Sequence, residues 1–99
     1  MSTAIEVDVR NPSGLHARPA AVFVKAAAGF RAEVRVANVT TGSLEVNAKS
    51  ILAVLGLGVS SGHRIRVRAE GDDEDDAAAR LLELVAAGLG EPASGGVAG

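Results

Sequence analysis

Gly14-Leu15-His16-Ala17-Arg18-Pro19 joins a short extended segment to an alanine-rich run, and its residue types fix where a helix begins. The preceding Asn11-Pro12-Ser13-Gly14 is a turn signal, because proline presets φ and glycine admits φ above zero. Pro19 fits only the first turn of a helix, where its missing N–H removes a donor that has no intrahelical partner. The helix therefore starts at or beside His16. Downstream, Ala20, Phe23, Val24 and Ala27 recur at i, i+3, i+4 and i+7 as one apolar stripe, and Gly29 stops the run.

A helix start presents backbone N–H groups that are unpaired and carry partial positive charge. An anion is favoured there, and the same field disfavours a protonated imidazole, which leaves His16 a ring nitrogen able to act as a nucleophile. A phosphoryl group on that nitrogen would meet the N–H groups of Ala17 and Arg18 and the Arg18 guanidinium. Arg18 near the positive helix end costs ~0.3 to 1 kcal/mol, which an anion would offset. The plain readings are a surface histidine and an ordinary first-turn arginine. Their joint placement at the helix start favours a site for a transient phosphohistidine.

Ile5, Val7 and Val9 alternate with Glu6, Asp8 and Arg10, the period-two pattern of a strand with one wet face. Ala32, Val34 and Val36 repeat it against Arg31, Glu33 and Arg35. After a Thr40-Thr41-Gly42-Ser43 turn, a shorter strand through Leu44 to Asn47 should complete a hairpin. Ser50-Ile51-Leu52-Ala53-Val54-Leu55-Gly56-Leu57-Gly58 opens on an N-cap residue and ends at glycines, so it reads as a helix of one to two turns. It is apolar on every side. Such a helix on a sheet leaves part of Ile51, Leu52 and Leu55 exposed, which marks a docking patch, although a wholly buried strand is the plainer reading.

Ile65, Val67 and Ala69 alternate with Arg64, Arg66, Arg68 and Glu70 in a last strand. The arginines read as a solvated face, with Glu6, Asp8 and Glu33 as cross-strand partners worth roughly 0.2 to 1 kcal/mol each. His63 reads as an exposed residue at that strand's entrance. Asp72-Asp73-Glu74-Asp75-Asp76 precedes a helix with Ala78, Leu81, Leu82, Val85 and Leu89 on one side, and its carboxylates complement the helix dipole. A calcium loop would need alternating acids and a later bidentate glutamate, which are absent. Gly90 to Gly99 should be a disordered tail or a linker stub.

Gly14-Leu15-His16-Ala17-Arg18-Pro19-Ala20-Ala21 with Phe23-Val24-Lys25, followed by Val46-Asn47-Ala48-Lys49-Ser50-Ile51-Leu52, closely resembles the histidine-containing phosphocarrier (HPr) family of the bacterial phosphoenolpyruvate:sugar phosphotransferase system. The resemblance covers residues 1–89, one HPr-like domain. It implies that His16 accepts phosphate on Nδ1 from enzyme I and passes it to IIA domains of sugar permeases, as a stoichiometric carrier rather than an enzyme. It implies a site of His16, Arg18, the Ala17 N–H and, in a second shell, Ser13, whose plain role is turn formation. Ala20, Ile51, Leu52 and Leu55 would contact partners. Ser50 matches a serine phosphorylated in some Gram-positive bacteria, with a serine kinase/phosphorylase and a transcriptional regulator as implied partners. Its N-cap role alone explains a serine, and the Ala, Gly, Val and Arg bias of a GC-rich genome weighs against that regulation. The connection between the second and third strands looks longer than the family pattern, in a loop away from the expected site.

The expected fold is an α/β (α+β) open-faced sandwich, a four-stranded antiparallel sheet covered on one side by three helices in the order βαββαβα, with strand order implied by the resemblance. At 99 residues and 47% hydrophobic, the chain holds one core. A net charge of −2, with Phe23 and Phe30 the sole aromatics, argues against nucleic acid. No cofactor or metal is expected, no cysteine is present, and no apolar run suits membrane insertion, so a cytoplasmic monomer is expected. Two further readings stand beside the carrier. A regulatory binding protein of the same fold would act through Ser50 and the apolar patch without needing His16, and the domain could belong to a larger phosphotransferase chain serving sugars, nitrogen regulation or dihydroxyacetone.

Overall fold

The computed structural model describes residues 1–91. Its elements are β1 (Thr3–Asp8), α1 (Ala17–Ala28), β2 (Glu33–Asn38), β3 (Val46–Asn47), α2 (Ile51–Leu55), β4 (Arg64–Glu70) and α3 (Glu74–Ala86). The four strands form one antiparallel sheet in the order β1-β4-β2-β3. The register stacks the apolar positions on one face: Ile5 faces Val67, Val7 faces Ile65, and Val34 and Val36 face Ala69 and Val67. Val34, Val36, Ile65, Val67 and Ala69 are fully buried, and α1 and α3 supply Phe23, Ala27, Leu81 and Val85 to the same core. At about 25 cal/mol per Å² of apolar surface, this one-sided burial is the main stabilising term.

Two expectations shift. The third strand pairs through Val46 and Asn47 alone, and Leu44 stands outside it, 87% exposed. The Ser43 N–H donates to Asn38 O at 3.0 Å and its hydroxyl accepts from Asn38 N at 2.8 Å, which closes the loop before a longer ladder can form. In α3 the buried stripe runs Ala77, Ala78, Leu81 and Val85, and Leu82 lies one step beyond its edge, 36% exposed.

The wet face is ordered by charge. Arg64 pairs with Asp8 at 2.9 Å and Glu6 at 3.6 Å, and Arg66 with Glu6 at 3.9 Å. The register, however, sets Arg68 opposite Arg35 and Glu33 opposite Glu70, like charges that repel. Glu33 turns to Arg35 on its own strand at 2.8 Å, and Arg68 forms a fork with both oxygens of Glu45, at 2.8 and 3.0 Å. Glu45 comes from the long β2–β3 connection and was not among the expected partners.

The site loop is locked by one close approach. Gly14 has φ +62°, and a Cβ there would stand 2.2 Å from the Val59 carbonyl oxygen. The same oxygen accepts from the Leu15 N–H at 3.0 Å, and Leu15 is fully buried. Gly14→Ala is therefore expected to cost about 3 kcal/mol or more, the sum of left-handed strain and a backbone clash, read by urea denaturation. Acid sensitivity follows from Glu45 and Asp73. The Arg68 hydrogen bond holds Glu45, and the Arg31 and Ala32 N–H groups hold Asp73, below the ordinary carboxylate range. A depressed folded value contributes stability that is present above the ordinary range and lost as pH falls through the folded one. Melting temperature should thus drop below about pH 4.5, and Glu45→Gln should lower neutral-pH stability by about 0.2 to 1 kcal/mol and make the acid decline shallower.

Candidate functional site

His16 is the N-cap of α1, with extended backbone (φ −130°, ψ 161°), an exposed side chain and no side-chain hydrogen bond to the helix start. Its carbonyl accepts the first helical N–H, from Ala20, at 3.5 Å. The imidazole is thus beside the helix end without being used to cap it. The N–H groups of Ala17 and Arg18 take no acceptor among the described residues, and Arg18 is exposed and absent from the ion pairs there. An exposed imidazole, two backbone N–H groups without an acceptor among the described residues and an exposed guanidinium all belong to the start of α1. Ala17 also has φ 52°, a left-handed conformation costing an L-residue about 1 to 2 kcal/mol. No sequence signal marks it, since glycine or asparagine usually announces that region.

Ser13 lies on the same turn, but its donors are occupied. Its hydroxyl donates to Glu91 Oε2 at 2.7 Å and its backbone N–H to Glu91 Oε1 at 3.0 Å. Asn11, fully buried, donates from Nδ2 to the same Oε1 at 3.0 Å and to the Gly14 carbonyl at 2.9 Å. These donors, Asn11 first, keep the Glu91 carboxyl below the usual carboxylate range. Glu91, which falls in the expected tail from Gly90, is tied to this loop, and 92–99 lie outside the described residues. Asn11 was legible as a turn residue, but its tie to Glu91 was not, since a contact across 80 residues leaves no local pattern.

Ser50 caps α2, its Oγ accepting from the Ala53 N–H at 3.2 Å. Ile51 is 39% and Leu52 79% exposed, Leu55 is half-buried, and Val54 anchors the helix in the core. α1 and α2 pack together, so this apolar edge adjoins the helix that carries His16. Ala20, expected among the partner contacts, is fully buried instead, because its place on the inward stripe of α1 faces the core. The second motif is architectural. Asn47 Oδ1 accepts from the Lys49 N–H at 2.9 Å, Lys49 Nζ donates to Phe30 O at 2.7 Å, and Ala48 is buried.

His63 is half-buried rather than exposed. Its Nδ1 accepts from the Ser60 N–H at 3.1 Å and lies 3.1 Å from Nδ2 of the buried Asn38, which places the proton of the neutral ring on Nε2. That is a structural assignment, holding the strand entrance. The acidic cluster is structural too: Asp73 accepts from the Arg31 and Ala32 N–H groups at 2.9 and 2.8 Å, and Glu74 from Gly71 N at 3.2 Å. Among the described residues no group of three or more His, Cys, Asp or Glu could hold a metal, and no helix is long and apolar enough to cross a membrane. An open groove between α1 and α3, lined by Val22, Lys25, Phe30, Arg80 and Leu84 among others, includes none of the site residues.

Against known proteins, residues 3–87 match the family described as the PTS HPr component phosphorylation site. The phosphocarrier protein HPr of Streptomyces coelicolor is 46% identical over 85 residues, covering 86% of this chain and 89% of that protein. The multiphosphoryl transfer protein of Salmonella typhimurium is 41% identical over 88 residues, 89% of this chain, which spans only 23% of that relative's length. The crystal structure of HPr-C-His from Thermoanaerobacter tengcongensis superposes with a TM-score of 0.85 at 40% identity, covering 91% of this chain and 98% of that one. With a match over nearly every described residue and a sheet and helix order in common, the chain belongs to the HPr family of phosphocarriers of the sugar phosphotransferase system.

Proposed function

We propose that this phosphocarrier accepts a phosphoryl group on His16 from phosphorylated enzyme I and passes it to IIA domains of sugar permeases, in the cytoplasm. The observation that carries this reading is the exposed His16 ring, uncommitted at a helix start with Arg18 unpaired beside it. In the accepting step the lone pair of a His16 ring nitrogen attacks phosphorus in line. A new N–P bond forms, the donor's N–P bond breaks, and its electron pair returns to the donor imidazole. The open N–H groups of Ala17 and Arg18 and the Arg18 guanidinium stabilise the equatorial oxygens. The reverse sequence delivers the group onward, so His16 is regenerated and the chain acts as a carrier rather than a catalyst.

Partners would dock on Ile51, Leu52 and Leu55, an apolar edge whose burial supplies the association energy while Val54 keeps the helix in place. Ser50 stands at the edge of that surface as a candidate regulatory position. A phosphate there adds about −1.5 to −2 charges amid apolar contacts and would oppose docking. The Streptomyces coelicolor relative is named a phosphocarrier protein HPr and the Salmonella typhimurium relative a multiphosphoryl transfer protein, so a free carrier and a domain of a longer phosphotransferase chain both stand as readings.

Two measurements check these roles. Intact mass spectrometry at alkaline pH, after incubation with phosphoenolpyruvate and enzyme I, should add one acid-labile phosphoryl mass to the wild type and none to His16→Ala. No gain on a folded wild type with active enzyme I would sink the carrier reading. Leu52→Glu should leave stability within about 0.5 kcal/mol, because the side chain is already in water. It should raise the KM for phosphoryl acceptance by about 10-fold, the loss of about 1.4 kcal/mol of docking energy. An unchanged KM would move the docking surface elsewhere.

A further inference from the structure

The chain does not simply run out at the end of α3. Gly88, Leu89 and Gly90 take φ of 93°, 52° and 88°, three successive left-handed residues. They reverse its direction, with the Leu89 N–H donating to Leu84 O at 2.9 Å and the Glu91 N–H to Gly88 O at 2.9 Å. A Cβ at Gly88 would stand 2.4 Å from the Glu91 carbonyl oxygen, so the turn needs glycine there. Leu89 accepts its strained φ while 99% buried in the core. The reversal therefore delivers Glu91 to one place, against the turn that precedes His16.

The donors of that turn are nearly all assigned. The Gly14 N–H goes to Asn11 O at 3.1 Å and the Leu15 N–H to Val59 O. Both Ser13 donors go to Glu91, which also holds Asn11 Nδ2. A negative charge is thus fastened to the loop whose chemistry, on the carrier reading, is to receive a second and larger one. A phosphoryl group brings about −1.5 to −2 charges and three strong acceptor oxygens. It repels the carboxylate and is the stronger acceptor for the same donors.

We propose that Glu91 is a latch on the phosphorylation loop, holding the Ser13 hydroxyl and N–H while His16 is bare and releasing them when His16 carries its phosphoryl group. The inference rests on the carrier reading of His16. By linkage the coupling is reciprocal: whatever phosphorylation takes from the latch, the latch takes from phosphorylation, so a latch that re-forms on the bare protein disfavours loading and raises the phosphoryl-transfer potential of the loaded carrier. Glu91 is a positioning residue in this scheme and touches no reacting atom.

The test is a competition at equilibrium. Isotope-labelled wild type and unlabelled Glu91→Gln are mixed with trace enzyme I and limiting phosphoenolpyruvate, and the phosphoryl group is partitioned between them by mass. The latch requires partition toward the variant by about 5-fold or more, the lower end of ordinary site-to-site couplings. It also requires faster hydrogen exchange of the Glu91 amide in phosphorylated wild type than in bare wild type. That second measurement needs no variant and decides the matter if Glu91→Gln does not fold. Even partition with unchanged exchange overturns the latch alone, and partition toward the wild type makes Glu91 a brace for the phosphorylated loop, the opposite of what is proposed. A wild type that accepts no phosphoryl group removes the carrier reading and the latch with it.

Discussion

The position of His16 depends on a contact between two loops rather than on the helix it caps. The Val59 carbonyl oxygen accepts the Leu15 N–H at 3.0 Å, and the bare Cα of Gly14 lies against the same peptide. A buried Leu15 pins the turn from beneath, and buried Asn11 ties its ends through the Gly14 carbonyl. Loops are ordinarily the mobile part of a fold. Here backbone hydrogen bonds and a side chain in the core remove that freedom just before His16, so its ring can stay in water. Order is supplied by its neighbours and exposure is kept for the ring.

The same seam connects the two surfaces that a phosphoryl carrier needs. Val59 follows α2, whose Ile51 and Leu52 are exposed, and the turn it holds leads into α1, whose first N–H groups are open. The apolar edge of α2 and the exposed His16 ring are therefore parts of one corner, and on the proposed reading that corner sets a partner's approach relative to His16. The opposite face of the sheet does separate work. Its Arg64, Arg66 and Arg68 are neutralised by Glu6, Asp8 and Glu45, so the charge on that face is balanced internally, whereas Arg18 at the start of α1 makes no ion pair among the described residues.

Local periodicity made the three longer strands, α1 and α3 legible, because alternation and the 3.6-residue stripe are short-range consequences of burial. His16 and Arg18 were legible for a related reason: Pro19 marks a first turn, and a first turn has known electrostatics. What stayed hidden depends on register or on distance along the chain. That Arg68 faces Arg35, and so needs Glu45, follows only once β2 and β4 are aligned. Ala20 sat in a motif suggestive of contact, yet its azimuth on α1 points inward. Ala17's left-handed φ has no residue-type signature, and Glu91 lies in a glycine-rich end whose composition reads as tail.

A carrier has to bind its phosphoryl group well enough to receive it and weakly enough to give it away, and the donor set around His16 suits that balance. Deep oxyanion pockets gather several preorganised donors in a water-excluded site, where each is worth a few kcal/mol. Among the described residues the start of α1 offers two backbone N–H groups without an acceptor and one exposed guanidinium, all in high dielectric, where Coulomb terms shrink toward about 1 kcal/mol. Adding donors would favour the loaded state and make onward transfer to another histidine uphill. Exposure limits the stabilisation. The restraint of the site, more than any strong interaction in it, is what fits it to passing a phosphoryl group on.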